Sequence, residues 1–163
     1  MGQAREVMDR ITDAVVSGDR DALGRLYAAD AVAETPENPR IEGAAAIADY
    51  LLAFKRAFPD ASWESAATFE SGDTAIDEGY FVGTHTGVLT SPAGDVPPTG
   101  RRLRLRDCDM ITVKDGVAVS HRFYYDQLDF MGQLGLTETG AAAGSVPQPR
   151  TGAEQAAERT TAG

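Results

Sequence analysis

Several things are scarce in this chain, and each scarcity excludes something. There is one cysteine, Cys108, so no intramolecular disulfide can form, which suits a reducing compartment. Cys108 falls mid-strand and reads as a small buried hydrophobe rather than a nucleophile. No apolar run approaches the length that crosses a bilayer. The stretch Met1 to Glu6 lacks the apolar region of a signal peptide, and a cytoplasmic protein is expected. Cations are outnumbered, 15 Lys and Arg against 25 Asp and Glu, for a net charge of −10. That argues against nucleic acid and anionic membranes as partners, because a phosphate surface requires clustered Lys and Arg. The one basic cluster, Arg101, Arg102, Arg104 and Arg106, alternates along a predicted strand and reads as a solvated face.

Histidine is scarcer still. His85 and His121 are the only two, and two distant histidines do not by themselves make a zinc or non-haem iron site. No metal and no cofactor are expected. There is no Gly-x-Gly-x-x-Gly opening a helix, no P-loop and no Gly-x-Ser-x-Gly elbow.

What is present is enough for one domain: 163 residues, 42% of them hydrophobic. Val7, Ile11, Ala14 and Val15 make one stripe of a helix from about Gln3 to Val16. Ser17-Gly18-Asp19 stops it, and Asp19 can cap a short helix carrying Leu23, Leu26 and Tyr27. Ala31 to Glu34 reads as a short strand, followed by a proline-bearing loop. Glu42-Gly43 opens a third helix with the face Ile47, Tyr50, Leu51, Phe54 and Phe58, ended by Pro59.

The period then switches to two. Strands are expected over Trp63 to Glu70, Thr74 to Gly87, Arg101 to Val113 and Val117 to Tyr125. Leu89 to Gly100 is a surface loop. Asp115-Gly116 is a hairpin signal, because a type I′ turn needs positive φ at both central residues. Asp126 can cap a last helix holding Leu128, Met131 and Leu134, ended by Gly135. The order is α+β, with helices packed on one face of a curved antiparallel sheet. Residues 1–136 form the domain. Residues 137–163, rich in Ala, Gly, Thr and Pro, read as a disordered low-complexity tail.

The motifs Gly83-Thr84-His85-Thr86-Gly87, Pro98-Thr99-Gly100, Asp115-Gly116-Val117, His121, Asp126 and Gln133-Leu134-Gly135 carry a resemblance. Over roughly residues 3–136 the chain resembles the SnoaL-like polyketide cyclases of the NTF2-like superfamily. The resemblance implies a cone of bent antiparallel sheet wrapped over helices. It implies intramolecular aldol condensation without metal or cofactor, with an aspartate after the last strand as acid/base. That position is Asp126, in His121-x-x-Tyr124-Tyr125-Asp126. The chain departs from the pattern at His121-Arg122, where many members have His-Trp. It departs again at Asp109, where many carry a histidine seventeen residues before the aspartate. The resemblance also implies a homodimer packed through the open sheet face.

Alternation assigns faces. Asp77, Gly79, Phe81, Gly83 and His85 share one side of their strand. His85 either points into the mouth of the cone or is satisfied by a neighbouring backbone group. Asp107 and Asp109 fall on an otherwise apolar face, so each must pair or have a raised pKa, which an acid/base residue needs. Pairing with a neighbouring Arg or His is the bland alternative, and a bulge would swap the faces. Asp126 has an equally ordinary role as N-cap. His121, opposite Asp126 in parity, reads as structural or interfacial. Tyr27, Tyr50, Phe54, Phe58 and Trp63 are mostly core, with one or two lining a pocket for an apolar ring.

The expectation is a cofactor-independent enzyme acting on a hydrophobic small molecule by aldol cyclisation or isomerisation. Asp126, His85 and Asp109 are the candidate catalytic residues. Tyr124, Asp107, Trp63, Phe81 and Tyr27 are the candidate substrate contacts. Two other readings stand beside it. One is a non-catalytic binding or accessory protein. The other is an epoxide-hydrolase-like enzyme using Asp107, Asp109 and Arg106 to activate water.

Overall fold

The structure, a computed structural model, describes residues 2–91 and 93–137. The expected tail over 137–163 lies outside the described residues, apart from Thr137.

The N-terminal stripe forms α1 (Gln3–Ser17), which buries Val7, Met8, Ile11 and Ala14 and ends at Gly18 in the left-handed region. The Glu70 carboxylate reaches its exposed N-terminal amides, accepting from Gly2 N at 2.8 Å and Arg5 N at 2.9 Å. Asp19 caps α2 (Arg20–Leu26) by accepting from Ala22 N at 2.9 Å. The third helix is α3 (Ala44–Ala57), and Pro59 lies just beyond it.

The strands are β1 (Tyr27–Glu34), β2 (Ile41–Glu42), β3 (Ser62–Ser71), β4 (Thr74–Thr84), β5 (Leu89–Ser91), β6 (Gly94–Val96), β7 (Arg102–Lys114) and β8 (Val117–Tyr125), followed by α4 (Gln127–Leu134). Six of them make one sheet in the order β2-β1-β8-β7-β4-β3, and β5 and β6 form a separate hairpin. The helices cover one face of that sheet, so the architecture is the expected α+β cone.

Three local expectations are corrected. β1 starts at Tyr27 rather than Ala31, so Tyr27 belongs to the sheet and not to α2. β1 pairs with β8 in parallel, so the sheet is mixed rather than wholly antiparallel. The loop from Leu89 to Gly100 folds its first part into the β5–β6 hairpin.

The β7–β8 hairpin decides the site. Asp115 and Gly116 have φ of 51° and 82°, as a type I′ turn requires. Lys114 therefore faces Val117 and Val113 faces Ala118, but the next pair is Thr112 with Ser120. One extra residue, Val119, is accommodated on β8. From that bulge onward every β8 side chain changes face relative to a regular hairpin. His121, Phe123 and Tyr125 turn inward opposite Ile111, Asp109 and Asp107, while Arg122 and Tyr124 turn outward.

Two buried apolar clusters fill the cone. One joins α1, α2 and α3 to β1 and the turn end of β7–β8, with Met8, Leu23, Ile47 and Ile111 fully buried. The other gathers Phe58, Leu103, Leu105, Phe130 and Leu134 beneath α4. A cavity lies where they meet, lined by Met8, Ile11 and Phe123 of the first and by Ala61 and Leu105 of the second.

Candidate active site

The cavity, of about 110 Å³, is walled by α1, α3, β3, β4, β7 and β8. Its walls are mostly apolar, and its rim carries the exposed Val16 and Ser62. Two carboxyls and an imidazole line it, those of Asp107, Asp109 and His121, together with Lys55 and the phenols of Tyr50 and Tyr125. Alternation along β7 brings in the two aspartates, and the bulge in β8 brings in the histidine.

These groups are short of partners. Asp107 Oδ1, Asp109 Oδ1, His121 Nε2 and Trp63 Nε1 are buried and make no hydrogen bond. Burying a polar atom unpaired costs on the order of 1–3 kcal/mol, so four at one cavity call for partners that the protein itself does not supply, water or a ligand.

The charge states follow from burial. Burial raises the Asp107 carboxyl to about 6, against opposing hydrogen bonds from the backbone of Cys108 and from the Asp109 side chain. Asp109 is pushed well above the usual carboxylate range, first by burial and then by the negative charges of Asp107 and Asp77. Burial drives the His121 imidazole down to about 3, so it is neutral at pH 7. The site therefore holds two neighbouring carboxyls, both raised by burial, beside an imidazole that is uncharged at neutral pH. This is the arrangement in which neighbouring carboxyls take opposite roles.

Behind the cavity wall, the Tyr27 hydroxyl lies 2.6 Å from His121 Nδ1. His121 stacks on Phe123 with ring centres 3.9 Å apart. Its Nε2 is 4.0 Å from Asp109 Oδ2, too far for a hydrogen bond. Tyr50 and Tyr125 also line the cavity, and burial raises both hydroxyls. Glu37, also raised by burial, lies beside Tyr50.

The sequence candidates separate into three groups. Asp109, Asp107, Trp63 and Phe81 line the cavity. Tyr27 stands one layer behind it, through His121. The other three are not brought to it. Asp126 is exposed and caps α4, accepting from Leu128 N at 2.9 Å and Asp129 N at 3.0 Å. Tyr124, 54% exposed, lies with Asp126 outside the cavity, in an open cleft that Asp107 and Tyr125 also line. The bulge explains both, since a regular hairpin would have turned that parity inward.

His85 is fully buried but does not line the cavity. Its Nδ1 meets Thr99 Oγ1 at 3.0 Å and accepts from Thr99 N at 3.3 Å, and its ring stacks on Phe58. Its backbone also accepts from Gly100 N and donates to Arg101 O, both at 2.9 Å. His85 thus pins the chain segment before β7.

His121 is the residue that sequence reasoning set aside. The signal for it was the possible bulge, and only pairing geometry places that bulge within β8 rather than β7.

The arginines of β7 face away from the cavity. Arg104 pairs with Glu64 at 2.9 Å and lies 3.5 Å over the Tyr80 ring, and Arg106 pairs with Glu78. Cys108 shares that outer face, and burial raises its thiol. Among the described residues, no three or more His, Cys, Asp or Glu side chains are grouped to hold a metal ion. No helix among them is long and apolar enough to cross a membrane.

Residues 5–134 match the SnoaL-like polyketide cyclase family. The chain belongs to that family. No curated protein matches it. Among solved structures, this SnoaL-like chain is similar to a candidate SnoaL-like polyketide cyclase from Jannaschia sp. CCS1. That pair has a TM-score of 0.71 and 21% identity, covering 81% of this chain and 91% of the other. It is also similar to IdmH, a candidate polyketide cyclase from Streptomyces antibioticus, with a TM-score of 0.67 and 25% identity, covering 82% and 99%. A candidate isomerase from Bacillus subtilis gives 0.65 and 25%, covering 83% and 94%. The NTF2-like cone expected for this SnoaL-like protein is the fold it has.

Proposed function

We propose that this protein is an acid–base enzyme that removes a proton beside a carbonyl of an apolar, polyketide-like small molecule. The observation that carries the reading is the set of four unpaired buried polar atoms on Asp107, Asp109, His121 and Trp63 around one apolar cavity.

Asp107 is the base. Its carboxyl, at about 6, is mostly ionised at neutral pH yet basic enough to accept a proton from carbon. The C–H bond breaks, the proton passes to Asp107, and the electron pair moves into an enolate. Asp109, held protonated, donates to the enolate oxygen. Trp63 Nε1–H is a second donor at the cavity wall. For cyclisation, the enolate carbon attacks a second carbonyl of the same molecule. A carbon–carbon bond forms, and the resulting alkoxide takes a proton from the site. For isomerisation, the proton returns to a different carbon. Asp126 takes no part in this reading, because its carboxylate is engaged at the α4 N-terminus.

The epoxide-hydrolase-like alternative is weakened by Arg106, whose guanidinium is engaged by Glu78 and which does not line the cavity.

The test is deuterium exchange at the carbon beside the carbonyl of an aryl ketone in heavy water, followed by proton NMR. The protein is expected to accelerate exchange, with the rate rising through about pH 6 as Asp107 ionises. Asp107→Asn is expected to lower it by on the order of 100-fold. Exchange no faster than in buffer, with the ketone shown to be bound, would instead select a non-catalytic binding protein.

A further inference from the structure

Tyr27 is the one sequence candidate that neither touches the cavity nor stands apart from it. Its hydroxyl reaches His121 Nδ1 at 2.6 Å from behind, inside the protein. We propose that Tyr27 is a positioning residue that fixes His121 in the Nε2–H tautomer, so that the histidine offers the cavity a hydrogen-bond donor and not a base.

The argument is one of satisfaction. A phenol has one proton, and a neutral imidazole has one N–H and one bare nitrogen. His121 Nδ1 is the only partner of the Tyr27 hydroxyl among the described residues. If Tyr27 donates, Nδ1 accepts, and the ring proton sits on Nε2, facing the cavity. If His121 donates through Nδ1 instead, the buried phenol proton has no acceptor. In that arrangement the Nε2 lone pair also lacks a donor, because Asp109 Oδ2 is 4.0 Å away. The first arrangement strands one polar hydrogen and the second strands two groups. Each stranded buried group costs on the order of a tenfold change or more in the balance, so the first prevails.

Every group facing the ring agrees with this. Phe123 stacks on it and Tyr27 lies on its Nδ1 side, while Asp109 is on its Nε2 side. The Tyr27 hydroxyl, raised far above its usual range by burial, stays protonated and available to donate. Burial keeps the His121 ring uncharged, so it carries a single ring proton whose place the Tyr27 hydrogen bond decides.

The consequence concerns the ligand. An unpaired Nε2–H at the cavity is met best by a ligand group that offers a lone pair, such as a carbonyl or enolate oxygen. The inference rests on reading the cavity as an acid–base site, but its test needs no substrate, so the two can fail separately.

The test is a long-range nitrogen–proton NMR correlation of the ring nitrogens at pH 7 in the full chain. There are only two histidines, and His85 serves as internal reference because Thr99 holds it in a different part of the fold. The expected result is a His121 with protonated Nε2 and a bare Nδ1. Tyr27→Phe is expected to move both His121 nitrogens toward a two-tautomer average while the His85 signals stay in place. A wild-type His121 protonated on Nδ1 would overturn the proposal, whether or not the variant folds. So would unchanged His121 nitrogens in a Tyr27→Phe protein whose His85 signals remain native.

Discussion

Asp77 and Asp109 stand directly opposite each other on β4 and β7, and only Asp77 has a cation. Arg5 from α1 meets Asp77 with both guanidinium arms, the Nη2–Oδ2 bond being 2.9 Å, and also binds Asp9. Asp109 has no such partner, and the negative charge of Asp77 helps raise its pKa. One face thus carries a carboxylate held by a cation and one without a cation, separated by which of them α1 reaches.

That pairing makes Arg5 indispensable to the cone. Arg5→Leu leaves Asp77 buried without compensation, which is expected to cost about 3–5 kcal/mol in a denaturant titration. Arg5→Leu with Asp77→Leu is expected to recover most of the loss, since replacing both partners removes the stranded charge. A single variant as stable as the wild type would show that the pair does not hold α1 to the sheet.

The raised Asp107 carboxyl has a stability cost whose sign is set by linkage. Its ordinary value is 3.8 and its folded value about 6, so the folded state binds the extra proton between those limits. Stability contributed by this group is present below about pH 4, falls as pH rises toward 6, and is flat above. Asp107→Asn does not titrate. It is expected to match the wild type near pH 4 and to exceed it by on the order of 1–3 kcal/mol above pH 6. Unfolding curves of both proteins across that range decide it, and a gap that closes with rising pH would contradict the burial argument. The same variant is expected to lose activity, a trade common where a site stores unpaired groups.

His121 acts in the opposite direction. Its imidazole falls from 6.5 to about 3 on folding, so on acidification the unfolded chain takes up the proton first. Stability is lost progressively from about pH 6.5 down to 3. His121→Gln removes that titration. Its stability is expected to decline less steeply than the wild type's over the same window, read as unfolding midpoints at successive pH values. An identical slope would mean that His121 is solvated.

These residues also show what sequence could and could not convey. Helix stripes, the caps at Asp19 and Asp126, the Asp115-Gly116 turn and the face shared by Asp107 and Asp109 are local features, and each is present in the structure. The family motifs supplied the cone. The role of Tyr27 was not local, because its helical stripe position gave way to parallel pairing with β8 across a long stretch of chain. The placement of His121, Tyr124 and Asp126 was not local either. It turned on a single extra residue, Val119, whose effect is to exchange inside for outside along the rest of β8.

Asp126 gives the sharpest contrast between the motif and the geometry. Its carboxylate accepts from the first turn of α4 and lies outside the cavity that holds Asp107 and Asp109. An asparagine has an oxygen in the same place and caps helices equally well, whereas alanine offers none. Asp126→Asn is therefore expected to leave both stability and α-proton exchange near wild-type levels. Asp126→Ala is expected to cost about 1 kcal/mol of stability, because α4 covers the apolar cluster beneath Phe130 and Leu134, while exchange per folded molecule is retained. The two variants separate cap from catalyst. If Asp126→Asn kept its thermal midpoint but lost exchange by orders of magnitude, the carboxyl itself would be required, and the base would have to be reassigned from Asp107 to the helix terminus.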